Sequence, residues 1–301
     1  SAASDVYKRQ QKKAGVIVIQ DSVLGNDETA SLIKEIPSDI TIVKAQNTRL
    51  ALAVMSANYF GNPAKKLFTI GITGTKGKTT TTYMVKNVLD ACGIKTGLIG
   101  TIETIIGDEH TPACNTTPES YDIHKSFAKM AEQGCKAVVM EVSSQGLKLD
   151  RTAGIMFDIG VFTNLEPDHI GPNEHASFEE YLECKAKLFS QCKVGIVNAD
   201  DEHTPKILEH ATCSIESYGI SDKSDIRAKN ITLFHEPGKI GLSYDCEGLV
   251  NMPVTLKLPG KFSVYNSLCA IAVTRHFNVD KDTLEKMLYE VCLLYTSPSP
   301  R

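Results

Sequence analysis

The chain has 301 residues, of which 42% are hydrophobic and 23% charged, a balance typical of a globular protein with a sizeable buried core. Its formal net charge of -4 argues against a nucleic-acid partner, and no apolar run reaches the roughly 18 to 20 residues that a membrane helix needs. The nine cysteines are scattered without a C-x-x-C pair, so we expect reduced thiols in a cytoplasmic protein rather than disulfides or a zinc site.

The two ends of the chain differ in character from the rest. Residues 1–13 and 293–301 fit no periodic pattern and resemble translated cloning sequence, so we expect them to be non-native tails. Disordered native tails are the alternative. We also expect that the segment between them lacks both natural ends.

The first elements in chain order predict a small α/β unit. They are a strand at GVIVI, a helix over 28–35, a strand at ITIVKA and a helix over 48–59. The segment GNPAKK that follows has the composition of a linker. We therefore expect residues 14–65 to form part of an N-terminal domain.

A larger unit is predicted over residues 66–292. It begins with LFTIGIT, a continuous apolar strand of the kind buried in a parallel sheet. Further strands are predicted at TGLIGT, KAVVMEV, FDIGVFT and VGIVNA, and helices over 119–133, 177–190, 202–210, 263–277 and 280–291. This alternation predicts a doubly wound, mostly parallel sheet, and the short alternating segments of residues 212–258 predict antiparallel strands on one edge.

A glycine-rich loop, GITGTKGKTT, joins the first strand of this unit to a helix. Such a loop aims backbone N–H groups and a helix N-terminus at one point, which suits a polyphosphate. Lys78 would then reach the terminal phosphates, and the Thr79 hydroxyl would ligate Mg²⁺. The strict G-x-x-x-x-G-K-[ST] pattern needs glycine at position 72, where this chain has Ile72.

Glu141 is predicted as the acidic partner of this loop. It ends the apolar strand KAVVMEV, and ligands in open α/β sheets collect at the carboxyl edge. A Mg²⁺ ion bound with phosphates usually needs such a carboxylate. The plain alternative is a surface glutamate.

Four motifs occur in a fixed order along the chain: GTKGKTT at 74–80, NTTP at 115–118, EVSSQGLKLDR at 141–151 and TNLEPDHIG at 163–171. With YLECKAKLF and NADD following, the chain resembles the Mur ligases over roughly residues 14 to 291. Within that family it is most similar to the UDP-N-acetylmuramyl-tripeptide synthetases.

The resemblance implies an ATP-dependent carboxylate-amine ligase of peptidoglycan synthesis. Such an enzyme activates UDP-MurNAc-L-Ala-D-Glu as an acyl phosphate and adds L-lysine or meso-diaminopimelate. It implies a UDP-substrate domain at 14–65, a central ATP-binding domain at 66–292 and an amino-acid-binding domain that this sequence lacks. We therefore expect a cytoplasmic monomer that binds MgATP without completing ligation.

The resemblance also implies roles for single residues. Two Mg²⁺ ions would be held by Thr79, Glu141, His169 and a carbamylated Lys185. Lys78 and Arg151 would complete the catalytic set. Lys185 and Leu188 lie near one helix face while Lys187 points elsewhere, so Lys185 is the lysine that the family pattern selects.

The remaining predicted contacts are with nucleotide and substrate. The nucleotide set is Gly74, Thr75, Lys76, Gly77, Lys78, Thr79, Thr80 and Asn266. The substrate set is Asn115, Thr116, Thr117, Ser143 and Arg151. The alternatives are that the NTTP residues only cap a helix and that Asn266 only starts one. The Lys76 side chain either adds charge beside the phosphates or points to solvent, and His175 is expected on a loop surface.

Two other functions fit parts of this pattern. A folylpolyglutamate synthetase shares the ligation chemistry, but NTTP and EVSSQGL argue against it. A non-catalytic, Mur-like ATP-binding subunit of a two-protein amidotransferase is the other, although its relatives typically carry a cysteine cluster for zinc. Stimulation of ATP hydrolysis by UDP-MurNAc-dipeptide rather than by folate would distinguish the Mur ligase from a folylpolyglutamate synthetase. Stable binding of a partner protein without binding of ATP would favour the amidotransferase subunit.

Overall fold

The structure, a computed structural model, describes most of the chain. The described residues are 15–23, 31, 33–34, 36–168, 170–171, 174–236 and 239–291. The predicted tails lie outside this set, and so does most of the helix predicted over 28–35.

The N-terminal elements form a small unit of their own. Strands β1 (Val16–Gln20) and β2 (Thr41–Ala45) pair in parallel as a two-stranded sheet. Helix α1 (Thr48–Tyr59) follows with the predicted bounds. Asn47 begins this helix by accepting the N–H groups of residues 49 and 50 at 2.9 and 3.0 Å, as expected of an N-cap asparagine.

A second sheet of eleven strands dominates the described structure. Its strands are β3 (Phe68–Thr73), β4 (Thr96–Ile99), β5 (Glu103–Ile106), β6 (Glu109–Pro112), β7 (Ala137–Glu141), β8 (Phe157–Phe162), β9 (Cys192–Asn198), β10 (Ser214–Gly219), β11 (Ile226–Glu236), β12 (Lys239–Gly248) and β13 (Met252–Leu256). They lie in the order β13-β12-β11-β10-β9-β8-β3-β7-β4-β5-β6. Neighbours from β11 to β4 are parallel, which confirms the predicted doubly wound sheet.

Antiparallel strands flank this parallel centre on both sides. The predicted edge is present as β11, β12 and β13, but β5 and β6 add a second antiparallel flank beside β4. The predicted antiparallel edge is confirmed, and the second flank was not predicted. Every residue of β6 is exposed, so its sequence carries none of the alternation that signals a half-buried strand.

The helices after α1 connect these strands. They are α2 (Lys78–Ala91), α3 (Ser120–Glu132), α4 (Ser144–Lys148), α5 (Phe178–Ala186), α6 (Thr204–Ile207), α7 (Lys261–Thr274) and α8 (Lys281–Val291). The helix predicted over 202–210 is shorter than expected, and that predicted over 177–190 changes to a 3-10 turn at Lys187–Ser190. None of the described helices combines the length and apolar character needed to cross a membrane.

Two hydrophobic cores cover the two faces of the large sheet. Along β7, Val139 belongs to the core that α2, α7 and α8 complete, whereas Val138 and Met140 belong to the core of α3 and α5. Successive residues of a strand point to opposite faces of the sheet. Because β7 residues that point to either face are buried, helices cover both faces of the sheet. The ends of the strands are therefore the part of the sheet at which a functional site is expected.

His124 on α3 is a buried histidine whose titration should be visible in stability. It is 1% exposed, and burial lowers the pKa of its imidazole. As pH falls below about 6.5, the unfolded chain binds a proton here that the folded chain does not, so folding is progressively disfavoured by up to about 1.4 kcal/mol per pH unit. Urea unfolding at several pH values should show this loss, and His124→Phe should remove it. An unchanged pH dependence in the variant would contradict the expectation.

Candidate active site

A cavity of about 560 Å³ lies at the carboxyl ends of β3 and β7. Ligands of open α/β sheets bind at this edge. The cavity is lined by Gly74, Thr75, Gly77, Lys78, Thr79, Thr101, Asn115, Thr116, Thr117, Glu141, Ser143, Ser144, Gln145, Arg151, Glu174, His175, Tyr181 and Lys185. Three of the four sequence motifs contribute residues to the lining of this cavity.

The glycine loop after β3 is held closely between two other elements. Gly74 and Gly77 have φ values of 147° and 84°, which favour glycine. A Cβ on Gly74 would lie 1.9 Å from Thr163 Oγ1, and one on Gly77 would lie 2.5 Å from Asn266 Oδ1. The predicted nucleotide residue Asn266 therefore lies directly against the loop. Gly74 leaves no room for a side chain, and a side chain at Gly77 would displace the Asn266 amide.

Gly74→Ala should destabilise the folded chain by about 3 kcal/mol or more, because the new methyl group adds a steric clash to an unfavourable φ. Gly93→Ala is the matched control. Gly93 also has a positive φ of 78°, but nothing lies within 4 Å of the added Cβ, so about 1 kcal/mol is expected. Urea unfolding of both variants measures the difference. Equal losses would show that the loop is not held as tightly as the structure indicates.

Two lysine ammonium groups meet at one carbonyl of this loop. Lys78 Nζ donates to the Gly74 and Thr75 carbonyl oxygens at 2.9 and 3.0 Å. Lys185 Nζ, from α5, donates to the same Gly74 oxygen at 2.9 Å and lies 4.4 Å from the centre of the Tyr181 ring. Tyr181 in turn shares a 3.0 Å hydrogen bond with Thr75 Oγ1. The helix and the loop are thereby joined along one side of the cavity.

Burial dominates the titration of both lysines. It lowers the pKa of Lys78, against the opposing fields of Glu141 and Asp168. It holds the pKa of Lys185 well below the usual range, and the neighbouring Lys78 lowers it further. An anion placed here would relieve both effects, since it would compensate charges that the protein alone leaves poorly solvated.

Glu141 is fully buried at the end of β7, so the alternative of a surface glutamate is wrong. Its two carboxylate oxygens accept hydrogen bonds from the Thr101 N–H and hydroxyl, each at 2.9 Å. A Cβ on Gly100 would lie 2.7 Å from Oε1, so the glycine makes room for the carboxylate. Thr101 comes from the loop after β4 and was not predicted. These contacts fix the orientation of the carboxylate towards the cavity.

The NTTP residues lie on the other side of this carboxylate. Thr116 Oγ1 is 3.0 Å from Thr101 Oγ1, and Thr117 Oγ1 donates to the Glu141 carbonyl oxygen at 2.9 Å. Arg151 donates to the Thr117 carbonyl oxygen at 2.9 Å. Helix α3 begins after Glu119 without a side-chain cap, so these threonines hold the end of β7 rather than cap that helix.

Most of the predicted site residues line the cavity, and three of those that the structure describes do not. The Lys76 ammonium forms an ion pair with Glu166, and the Lys76 side chain is 57% exposed. It therefore lies in solvent beside that carboxylate. Thr80 follows the loop within α2, and Asn266 contacts Gly77 from outside the cavity wall. His169 lies outside the described residues.

His175 was expected on a loop surface, and this is wrong. It is 1% exposed, its Nε2 is 2.9 Å from Ser144 Oγ, and its ring lies 5.2 Å from that of Tyr181. Neither His175 nor Tyr181 was predicted from the sequence to line the cavity. Tyr181 could have been found, since it lies four positions before Lys185 and so shares its helix face. His175 could not, because only the folded loop brings it inward.

The fit of Mg²⁺ to the cavity depends on few oxygen donors. Glu141 and Thr79 line it together and offer the hard oxygen ligands that Mg²⁺ prefers beside phosphates. Among the described residues, which exclude His169, no group of three or more His, Cys, Asp or Glu is arranged to hold a metal ion. Within the described part of the chain, the donor set therefore fits a cation that phosphate groups also ligate and forms no all-protein cage.

Residues 72–274 match the family described as the Mur ligase middle domain. The chain belongs to the Mur ligase family. This confirms the resemblance inferred from the four motifs.

A curated relative has a similar sequence, and two solved structures have a similar fold. The Mur ligase chain is 38% identical over 94% of its length to the UDP-N-acetylmuramoyl-L-alanyl-D-glutamate--2,6-diaminopimelate ligase of Clostridium perfringens, covering 56% of that protein. A solved structure with the same ligase name has a TM-score of 0.76 at 22% identity, covering 94% of this chain and 60% of that one. The Mycobacterium tuberculosis folylpolyglutamate synthase complexed with ADP has a TM-score of 0.61 at 18% identity, with coverages of 83% and 62%. The chain spans about half the length of the curated relatives it matches.

Proposed function

We propose that this Mur ligase chain carries the ATP-dependent activation site of a ligase that adds an amino acid to UDP-MurNAc-L-Ala-D-Glu in cytoplasmic peptidoglycan synthesis. One observation carries the proposal: the glycine loop with Lys78 shares a cavity with the buried Lys185, Glu141, the NTTP threonines and Arg151. The names of the curated relatives favour diaminopimelate over L-lysine as the amino acid.

ATP is proposed to bind with its terminal phosphates on the glycine loop. The backbone N–H groups at the start of α2 and the Lys78 ammonium supply the positive field that a polyphosphate needs. Asn266 lies against Gly77, where α7 approaches the loop, and is proposed to contact the base. The solvent-exposed pairing of Lys76 with Glu166 supports a minor role for that side chain.

Thr79 and Glu141 are proposed to hold Mg²⁺, together with His169. When bound, the ion would neutralise phosphate charge during transfer. We propose that Lys185 adds to CO₂: its neutral amine nitrogen bonds to the carbon, one C=O π electron pair moves to oxygen, and the nitrogen gives up a proton to water, which leaves a carbamate. Its burial beside Gly74 and its low pKa favour the neutral amine that this step requires.

The substrate carboxylate is proposed to lie between Arg151 and the terminal phosphate. One of its oxygens attacks the γ-phosphorus, the bond to the bridging oxygen of ADP breaks, and an acyl phosphate forms. The incoming amine then attacks the carbonyl carbon, loses a proton and expels inorganic phosphate. The chain's own contribution is to bring two anions together, which requires the clustered positive charge of Lys78 and Arg151.

The domain division supports the same proposal. The two-stranded sheet of β1 and β2 is separate from the eleven-stranded sheet, in line with a UDP-substrate unit over 14–65 and an ATP-binding unit over 66–292. We propose that the protein acts as a monomer.

ATP consumption tests the proposal and separates it from the folate alternative. The full-length protein carrying this chain should release ADP when UDP-MurNAc-L-Ala-D-Glu and diaminopimelate are added, and should not respond to tetrahydrofolate with glutamate. Arg151→Lys is expected to raise the KM for the muramyl dipeptide, since one ammonium cannot reproduce the bond to Thr117, the ion pair with Glu119 and a contact with substrate. Stimulation by folate alone would overturn the proposal.

A further inference from the structure

The guanidinium of Arg151, which lines the candidate active site, is held at both of its ends. Its side chain is 13% exposed. The terminal nitrogen Nη1 donates to the Thr117 carbonyl oxygen at 2.9 Å, and Nη2 lies 2.7 Å from Glu119 Oε1. The third nitrogen, Nε, is buried without a hydrogen-bond partner among the described residues. Because a guanidinium is planar and rigid, these two contacts fix the orientation of the whole group.

Glu119 is shared between Arg151 and the small N-terminal unit. It directly precedes α3, and its second carboxylate oxygen, Oε2, accepts a hydrogen bond from Arg49 Nη1 at 3.4 Å. Arg49 lies in the first turn of α1, which belongs to the unit of β1 and β2. One carboxylate therefore joins that unit to an arginine of the candidate active site.

A second contact joins the same two parts of the chain at the neighbouring residue. Asn47, the N-cap of α1, donates from Nδ2 to Asp150 Oδ2 at 2.7 Å. Asp150 has a φ of 53°, a left-handed conformation that persists in a folded chain only where the surroundings support it. The start of α1 therefore contacts two consecutive residues, Asp150 directly and Arg151 through Glu119.

The strength of these contacts is modest, and their position is what distinguishes them. The side chains of Arg49 and Glu119 are 47% and 40% exposed, and ion pairs of this kind contribute little to stability. Carboxylates are nevertheless favoured beside the first turn of a helix, where unpaired backbone N–H groups leave partial positive charge. The contacts thus hold the N-terminal unit against the Arg151 segment without locking it there.

We propose that Glu119 is a positioning residue for Arg151, and that Arg49 couples the orientation of Arg151 to the position of the N-terminal unit. The inference rests on the proposed function, in which Arg151 contacts the substrate carboxylate and the N-terminal unit holds the UDP end. The same muramyl dipeptide then contacts both parts. Binding of its UDP end stabilises the contact between α1 and Glu119, and with it the orientation that Arg151 needs.

Glu119→Gln tests the positioning role in the full-length protein carrying this chain. Glutamine has nearly the same size but no charge, so it weakens the hold on Arg151 while packing is kept. The KM for the muramyl dipeptide, measured from initial rates of ADP release, should rise at least about threefold, and the KM for ATP should not change. A lower KM for the dipeptide would show that Glu119 only competes with substrate for Arg151. Either that result or an unchanged KM would overturn the proposal.

A double-mutant cycle tests the coupling to the N-terminal unit. Arg49→Gln should raise the KM for the dipeptide by about two- to fivefold in the wild-type background, and should have no further effect beside Glu119→Gln. Arg49→Lys should retain most of the wild-type affinity. Lys44→Gln removes the same charge from an exposed position on β2 and should leave the KM unchanged.

The outcomes separate this inference from the proposed function. Release of ADP by the wild type that depends on the muramyl dipeptide supports the function, so a failed cycle in its presence contradicts the coupling alone. Equal effects of Arg49→Gln in both backgrounds, or equal effects of Arg49→Gln and Lys44→Gln, would be such a failure. Absence of dipeptide-dependent release would overturn both.

Discussion

Replacing Lys78 with methionine is expected to weaken ATP binding by about 10- to 100-fold. Hydrogen bonds to charged groups contribute about 1.5 to 3 kcal/mol each, and Lys78 is the lysine whose ammonium donates to both loop carbonyls, those of Gly74 and Thr75. Methionine has a similar length and no charge, so packing is largely kept while the phosphate loses its partner. Isothermal titration calorimetry with MgATP measures the change.

Lys76→Met is the control for this variant. Both lysines belong to the same loop and carry the same charge, but Lys76 is 57% exposed and paired with Glu166. Exposed ion pairs contribute about 0 to 1 kcal/mol, so ATP affinity should change by less than about fivefold. If the two variants weaken binding equally, only the net charge of the loop matters, and the specific role of Lys78 is contradicted.

The second large effect is expected at Lys185. Lys185→Gln should reduce the ligase activity of the full-length protein by about 100-fold or more, because the carbamate proposed to support the Mg²⁺ site cannot form. With ¹³C-labelled bicarbonate, the wild type should show a carbamate carbon signal that this variant lacks.

Lys187→Gln provides the comparison within the same segment. Lys185 is buried and Lys187 is exposed, in agreement with the helix-face argument made from the sequence. The control variant should retain both the carbon signal and the activity. A carbamate signal that persists in Lys185→Gln, or disappears in Lys187→Gln, would show that Lys185 was the wrong choice.

Much of the fold could be predicted because its signals are local. The apolar strands β3, β7 and β8 are buried on both faces and read as continuous hydrophobic runs. Helix α1 has the predicted bounds because Asn47 marks its start. The flank of β5 and β6 carries no such signal, because it is stabilised by pairing with β4 and by the hydrogen bond from Tyr83 to Glu103.

The candidate site could likewise be predicted only in part from the sequence. The glycine loop and the carboxylate at the end of β7 could be placed from the sequence, since parallel strands bring their carboxyl ends to one edge. The contacts that complete the site could not. Thr101 reaches Glu141 across 40 positions of sequence, and His175 becomes buried only when its loop folds over Ser144. Pairings of this length leave no periodic trace in one sequence.

Trapping with hydroxylamine tests most directly the central claim that the cavity joins the terminal phosphate of ATP to a substrate carboxylate. The full-length protein carrying this chain is incubated with MgATP, UDP-MurNAc-L-Ala-D-Glu and hydroxylamine, with the amino acid left out. Hydroxylamine attacks an acyl phosphate at its carbonyl carbon and expels phosphate, so a hydroxamate of the dipeptide is predicted in an amount equal to the ADP formed. ADP release without hydroxamate, while the muramyl dipeptide is bound, would contradict the account.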